Sequence, residues 1–135
     1  MLELITDKIE NYLKGLEISS GYGAIDDVQP YDKLKKLEGV TYGLAYKLDS
    51  GTPYKERKGK FDDLLFVYGF APNSRAAYFL KRKITEHLDK ARLTDSNFRV
   101  YACKYRSLKG APTLNESLQM YEIVMSFDIR WERVA

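Results

Sequence analysis

Three residues in the first half of the chain are of the types that a metal-dependent nuclease uses. Asp49 is followed by Glu56 and Lys58. In such enzymes two carboxylates hold a magnesium ion and a lysine orients the attacking water, often as an Asp followed by Glu-x-Lys on adjacent strands. Here the Glu-x-Lys half stands in a hydrophilic stretch between Pro53 and Gly59, where the pattern arises readily by chance. The nuclease is therefore an alternative hypothesis, and we assign no catalytic residue.

The single cysteine and the single histidine are the other candidates for catalysis. Cys103 and His87 could pair as nucleophile and base. Cys103 falls in a strand-like segment between Tyr101 and Tyr105, where a cysteine usually packs as a small buried apolar residue. One cysteine excludes an internal disulfide, and one histidine leaves too few soft ligands for a zinc cage. We therefore expect no cofactor and no bound metal.

Residues 98–106 interleave aromatic and basic side chains and could bind a nucleic acid. Their sequence is FRVYACKYR. Single-stranded bases stack on exposed aromatic rings of a sheet, while basic side chains follow the phosphates. The glycine that the RNA-recognition consensus requires is absent, and tyrosines are common in strands for packing reasons alone. A small nucleic-acid-binding module is thus a second alternative.

Length and composition narrow the class of protein. The 135 residues are 44% apolar and 30% charged, which indicates one globular domain over residues 1–135. The sequence has no secretory leader and no apolar run near the roughly 18 residues that span a membrane, so we expect a cytosolic protein without a membrane partner. The net charge is +3, but residues 1–30 carry −4 and the remainder +7.

Hydrophobic periodicity predicts an α+β fold. Helical spacing predicts one helix over residues 2–16 and another from Asn73 or Ser74 to about Arg92. Alternation with a period of two predicts strands, which are 40–48, 63–70, 98–106 and 120–131. Residues 17–39 fit either a helical turn or a short edge strand near Tyr31. We expect an antiparallel β-sheet with two α-helices packed on one face, and long loops at 49–60 and 107–117.

This layout resembles the tail terminator proteins of long-tailed bacteriophages, also called tail completion or minor capsid proteins. The features that carry the resemblance are the N-terminal helix, the two strands before the step Phe70-Ala71-Pro72-Asn73-Ser74 into a second helix, and the long final strand. The resemblance implies a hexameric ring that caps the tail tube and joins the head–tail connector. It implies no catalytic residues, a place at the head-proximal end of the tail in the virion, assembly in the host cytoplasm, and transient contact with passing DNA.

The aromatic composition also favours an assembly subunit. Eleven tyrosines stand against six phenylalanines, and tyrosine is enriched where a surface is dry in a complex and wet outside it. The two long loops would project from the ring and reach neighbours or the tube. The candidate interface residues are Tyr54, Arg57, Lys58, Lys60, Lys109 and Trp131.

Overall fold

The computed structural model of the chain describes residues 5–16, 27–31, 42–49, 60–89, 93, 98–108 and 110–133. Within these ranges it contains two helices and six strands, which confirms the α+β class. The helices are α1 (Ile5–Lys14) and α2 (Ser74–Leu88). The strands are β1 (Asp27–Pro30), β2 (Gly43–Asp49), β3 (Lys60–Ala71), β4 (Phe98–Leu108), β5 (Thr113–Asn115) and β6 (Met120–Arg133).

The strands form one mixed sheet, in the order β1-β2-β3-β6-β4, with β5 beside β6. β1 runs parallel to β2, whereas every other pair in the described residues is antiparallel. The prediction of a wholly antiparallel sheet is therefore wrong at this edge. β1 has only four residues, too few to show a period in a segment that also contains glycines. About a dozen residues separate Pro30 from Gly43, the length that a parallel connection needs.

The two longest strands, β3 and β6, form the centre of the sheet. They pair from Lys60 opposite Glu132 to Ala71 opposite Tyr121. β3 is apolar on both faces, which predicts a central strand, and its neighbours β2 and β6 confirm that position.

β4 and β5 together form one interrupted strand along β6. Leu108 lies opposite Met125 and Thr113 opposite Glu122, so five steps on one side match three on the other. Residues 110–112 are therefore extruded from the strand, and Gly110 among them has a φ of 75°, a conformation that favours glycine. The prediction of a single loop over 107–117 is wrong, because three paired residues are too few to show alternation in the sequence.

Helix α2 begins as the sequence predicts and ends earlier. The side chain of Asn73 accepts a hydrogen bond of 2.8 Å from the amide of Ala76, which is the expected N-cap. The helix stops at Leu88 rather than near Arg92. Asp89 leaves the helical conformation, and its carboxylate accepts a 2.9 Å bond from the amide of Tyr105 on β4. A tertiary contact therefore ends the helix, which the local sequence could not indicate.

The helices divide the sheet between them, which differs from the predicted arrangement over an antiparallel sheet. α1 packs chiefly on the parallel pair β1 and β2, and α2 packs on β3, β6 and β4. The helices meet at their C-terminal ends, where the rings of Tyr12 and His87 stack at 4.2 Å. The Tyr12 hydroxyl donates to the His87 carbonyl at 2.8 Å, and His87 Nε2 lies 2.7 Å from the Tyr12 carbonyl oxygen. This reciprocal contact fixes the position of one helix against the other.

Candidate assembly surfaces

Strand alternation gives the sheet a helix-covered face and an opposite face, which we call the outer face. The helix-covered face carries the core, including Leu65, Val67 and Phe127, all with no exposed surface. On the outer face, Ala45, Phe70 and Met120 form a small second cluster. Further along this face the side chains become charged, chiefly on β6 and β4. The outer face is thus apolar toward the β5 end and polar toward the other end.

The described aromatic side chains of β4, Phe98 and Tyr105, lie on the opposite face of the sheet from its basic side chains. Phe98 is buried and Tyr105 half-buried on the helix-covered face, where Tyr105 packs edge-on against Phe127. Arg99, Lys104 and Arg106 are exposed on the outer face. A base that stacked on these rings would therefore not meet these cations. The arrangement weakens the nucleic-acid-binding alternative for residues 98–106.

The exposed arginines of β4 pair with acidic residues of β6. Arg99 lies 3.3 Å from Glu132, and Arg106 lies 3.4 Å from Asp128. Exposed pairs of this kind contribute at most about 1 kcal/mol each. Because these pairs are weak, the basic side chains of β4 remain able to contact a partner.

β4 lies at one edge of the sheet formed by the described strands, and several features discourage the addition of another strand there. Its register shifts twice, between Val100 and Ala102 and between Tyr105 and Ser107. The amide of Tyr105 is already bound to the carboxylate of Asp89. Bulges and charged side chains are the usual means by which proteins prevent edge-to-edge pairing. This edge is therefore suited to side-chain contacts more than to strand addition.

The surface of α2 that faces away from the sheet combines aromatic and cationic side chains. Tyr78 is 49% exposed, and the half-buried Phe79 has Arg82 and Lys83 each 5.6 Å from its ring centroid. Arg75 is exposed two turns before Arg82. Exposed tyrosine and arginine are enriched at the centres of protein interfaces. The sequence alone indicates only a solvated helix face here, because hydrophobic periodicity does not show which exposed side chains contact each other.

The predicted interface loops are anchored far apart. Residues 50–59 and Lys109 lie outside the described residues, and with them Tyr54, Glu56, Arg57 and Lys58. The ends of the first loop are Asp49, which pairs with β3 at the level of residue 128 of β6, and Lys60, which lies opposite residue 132. The ends of the second loop, residues 108 and 113, lie opposite residues 125 and 122. About 20 Å of strand separates the two anchor points. The two loops therefore leave the sheet at well-separated points.

Trp131 is a core residue, which corrects its assignment to an exposed interface. It is 9% exposed, and its Nε1 donates a 2.7 Å hydrogen bond to the carboxylate of Asp63. Its ring stacks on Phe61 at 4.7 Å and meets Phe98 edge-on at 5.8 Å. Asp63, 5% exposed, is interpreted from the sequence as a solubilising strand end. Asp63 lies two residues before the buried Leu65 on β3, so both side chains point to the same face of the sheet. This spacing was the signal in the sequence that Asp63 faces the core.

Of the residues considered for metal chemistry, Asp49 is described, whereas Glu56 and Lys58 lie outside the described residues. Asp49 lies on the outer face with its carboxylate 3.5 Å from the ammonium of Lys47. Within the described ranges, no group of three histidine, cysteine, aspartate or glutamate side chains is placed to hold a metal ion. Neither helix that the structure describes is long and apolar enough to cross a membrane.

Cys103 and His87 are each committed to structural contacts. Burial, and secondarily the charge of Asp89, raises the pKa of the Cys103 thiol from 9.0 to about 12. The His87 ring is hydrogen-bonded to the backbone carbonyl of Tyr12. Burial, and secondarily the nearby Cys103, raises the pKa of the Tyr12 hydroxyl. A thiol with so high a pKa holds its proton at neutral pH and is a poor nucleophile.

No protein-family model and no curated protein matches the sequence. A search of solved structures finds a chain described as "Virion of native gene transfer agent (GTA) particle", with a TM-score of 0.55 and 16% identity. The alignment covers 78% of this chain and 78% of the other. The two chains share a fold. The shared part is most of each chain, so the likeness is not confined to one motif.

We expect Cys103 to resist alkylation in the folded protein at about pH 8. The thiolate is the reacting form, and a folded-state pKa near 12 leaves very little of it. Because burial raises the pKa of Cys103 in the folded state, the contribution of this thiol to the stability of the folded protein is complete below pH 9 and is lost as the pH rises toward 12. Iodoacetamide labelling followed by mass spectrometry should be at least about 100-fold slower in native protein than in urea-unfolded protein at the same pH. Equal rates in the two states would contradict this assignment.

Proposed function

We propose that this chain is a structural protein of a virion, of the tail terminator type, and has no enzymatic activity. In this proposal six copies form a ring that caps the tail tube at its head-proximal end and joins it to the head–tail connector. The ring assembles in the host cytoplasm and contacts DNA only as the DNA passes. The observation that carries the proposal is the fold shared with a gene transfer agent virion chain over 78% of both chains.

Two features of the described surface support assembly by repeated contacts. The outward side of α2 carries the aromatic and arginine side chains that interfaces prefer, including Tyr78 and Arg82. The anchors of residues 50–59 and 109–112 lie about 20 Å apart along the sheet, so one loop can meet a neighbouring subunit while the other meets the tube. A head-to-tail contact between identical subunits closes into a ring when its rotation divides a full turn.

The proposal is tested by the mass of the purified protein and by its place in particles. Six chains of 15.6 kDa give about 94 kDa, which multi-angle light scattering resolves from a monomer as concentration is raised. Purified tail tubes should bind the protein at one end, and negative-stain images with a gold-labelled tag should place the label at the head–tail junction. A protein that stays monomeric at every concentration, and also in the presence of tubes, would overturn the proposal.

One assay distinguishes the nuclease alternative from the structural proposal. Incubation of the purified protein with single- and double-stranded DNA and about 10 mM magnesium tests for metal-dependent cleavage, with Glu56→Gln and Lys58→Met as controls. We expect no cleavage by the parent protein. Cleavage that both substitutions abolish would replace the structural proposal with an enzymatic one.

A further inference from the structure

Helix α2 carries an excess of positive charge on its surface. Its 15 residues hold four basic side chains and one acidic one, which are Arg75, Lys81, Arg82, Lys83 and Glu86. Arg75 and Arg82 are exposed, and the two lysines are half-buried. Two whole turns separate the arginines, so both point away from the sheet on the same side of the helix, about 10 Å apart along its axis. We call the surface formed by these four cations and Tyr78 the cationic surface of α2.

Three of these cations lie over aromatic rings. Arg82 and Lys83 are each 5.6 Å from the ring centroid of Phe79. Lys81 is 5.4 Å from the ring centroid of Tyr105 on β4. An aromatic ring attracts a cation through its quadrupole but has no net charge, so the cation keeps its own charge. The rings therefore hold these cations in position without neutralising them.

Carboxylates compensate little of this charge. In the described part of the protein, Arg75, Lys81 and Lys83 have no ion-pair partner. Arg82 lies 3.8 Å from Glu86, but both side chains are more than half exposed, and exposed pairs of this kind are weak. The positive potential of the cationic surface therefore extends into the solvent, where it attracts an anionic partner.

The charges argue against a second copy of the chain as that partner. A two-fold contact would bring two cationic surfaces together, and like charges would repel each other. A head-to-tail contact would need an acidic surface, but α1 has two acidic and two basic side chains. On β6, Asp128 and Glu132 already pair with arginines of β4. Interfaces between proteins are also depleted in lysine, whereas this surface holds two. A polyanion fits the cationic surface better.

The spacing of the cations suits the backbone of double-stranded DNA. The major groove is about 12 Å wide, so two arginines about 10 Å apart can contact phosphates on both sides of one groove. Tyr78, which is 49% exposed, lies between them in the sequence, and a tyrosine hydroxyl can donate to a phosphate. Single-stranded DNA binds chiefly by stacking its bases on free aromatic rings. The Phe79 ring is half-buried and lies beside two cations, so it is a poor platform for a base.

We propose that the cationic surface of α2 binds the phosphate backbone of double-stranded DNA without regard to base sequence. The inference deepens the proposed function and rests on it, because the ring is where this chain would meet DNA. It adds the surface that makes the contact, and it requires that α2 of each copy faces the passing DNA. Phosphate contacts carry no sequence information, which suits a DNA that moves past the protein.

The salt dependence of DNA binding tests this contact. Fluorescence anisotropy of a fluorescein-labelled duplex of about 20 base pairs gives the affinity of the purified protein between about 25 and 200 mM sodium chloride. Each neutralised phosphate contributes about 0.9 to the slope of log affinity against log salt, so four cations predict a slope of about −3.6. Two duplexes of unrelated sequence should bind with affinities within about threefold of each other.

Matched variants locate the contact on the protein. Arg75→Gln with Arg82→Gln, the α2 variant, should lower the affinity at least about tenfold at about 50 mM salt and make the slope shallower by about 2. Arg99→Gln with Arg106→Gln, the β4 variant, removes the same charge where both arginines already pair with carboxylates, so its slope should change by less than about 0.5. Arg75→Lys with Arg82→Lys keeps the charge and should keep the slope. Circular dichroism melting curves confirm that each variant is folded.

The outcomes separate this inference from the proposed function. If the parent protein binds no duplex at the lowest salt, or if the α2 and β4 variants lose affinity alike, the inference is wrong, and light scattering with tail tubes still decides the ring proposal. Tighter binding of a single strand of the same length would also overturn it. If the α2 variant binds DNA normally but no longer binds tail tubes, the surface is a protein interface and the inference is wrong. If the parent protein forms no ring while the α2 variant loses DNA binding, the proposed function fails and the DNA contact stands.

Discussion

Replacing Trp131 with alanine is expected to lower the free energy of unfolding by about 3–5 kcal/mol. The substitution removes a ring that stacks on Phe61 and meets Phe98, and it leaves a cavity at the end of the sheet where β3, β6 and β4 meet. It also removes the indole N–H that donates a hydrogen bond to the buried carboxylate of Asp63. A buried carboxylate that loses a donor adds to the cost. The cavity and the lost hydrogen bond therefore both lower the free energy of unfolding.

Two further variants divide the Trp131 effect into its parts. Trp131→Phe keeps an aromatic ring beside Phe61 but removes the donor to Asp63, and we expect a loss of about 1–3 kcal/mol. In a double-mutant cycle with Asp63→Asn, the two losses should be less than additive, because the first removes the bond that the second weakens. Trp131 is the only tryptophan, so urea unfolding is followed by circular dichroism in all variants.

The matched control for Trp131 is an exposed aromatic residue. Tyr78→Ala removes a ring of similar size from the surface of α2, and its effect on the free energy of unfolding should stay within about 0.5 kcal/mol. If Trp131→Ala were as mild as Tyr78→Ala, the placement of Trp131 in the core would be wrong, and the sequence-based assignment of Trp131 to an interface would regain its basis.

The sequence predicts elements well where a period runs long enough. β3 stays almost wholly apolar over residues 64–71 and β6 alternates over residues 120–131, and both strands are found close to the predicted positions. Asn73 predicts the start of α2 because an N-cap is a local interaction between a side chain and a nearby amide. The end of α2 depends on a bond from Asp89 to a residue on another strand, and no local pattern contains that information.

The candidate surfaces are less predictable than the elements, for a related reason. Period two assigns side chains to a face once the strand is known, so strand alternation could have predicted the burial of Asp63 and the separation of Phe98 from Arg99, although the sequence interpretation predicted neither. Which elements are neighbours depends on topology. β1 joins the sheet in parallel at one edge and β4 lies at the other, and no local sequence pattern contains that order.

Gly69→Val is expected to destabilise the protein by about 3 kcal/mol, at the upper end of the range for overpacking a core. Gly69 lies on β3 directly beneath α2. A Cβ at this position would lie 2.9 Å from Leu80 Cδ2, 3.2 Å from Ile123 Cγ2 and 3.3 Å from Ile84 Cδ1. All three neighbours are buried, so their methyl groups have little room to move. Valine adds two further methyl groups where the first carbon already lies too close.

The same geometry makes a compensating change informative. Leu80→Ala alone should cost about 2–5 kcal/mol through the cavity that it leaves. Combined with Gly69→Val, the valine methyls enter that cavity, so the double variant should be more stable than the sum of the single losses by at least about 0.5 kcal/mol. Thr113→Val, which adds apolar surface on the exposed strand β5, serves as the control and should be close to neutral. Strictly additive losses at Gly69 and Leu80 would mean that α2 does not rest on the backbone of β3.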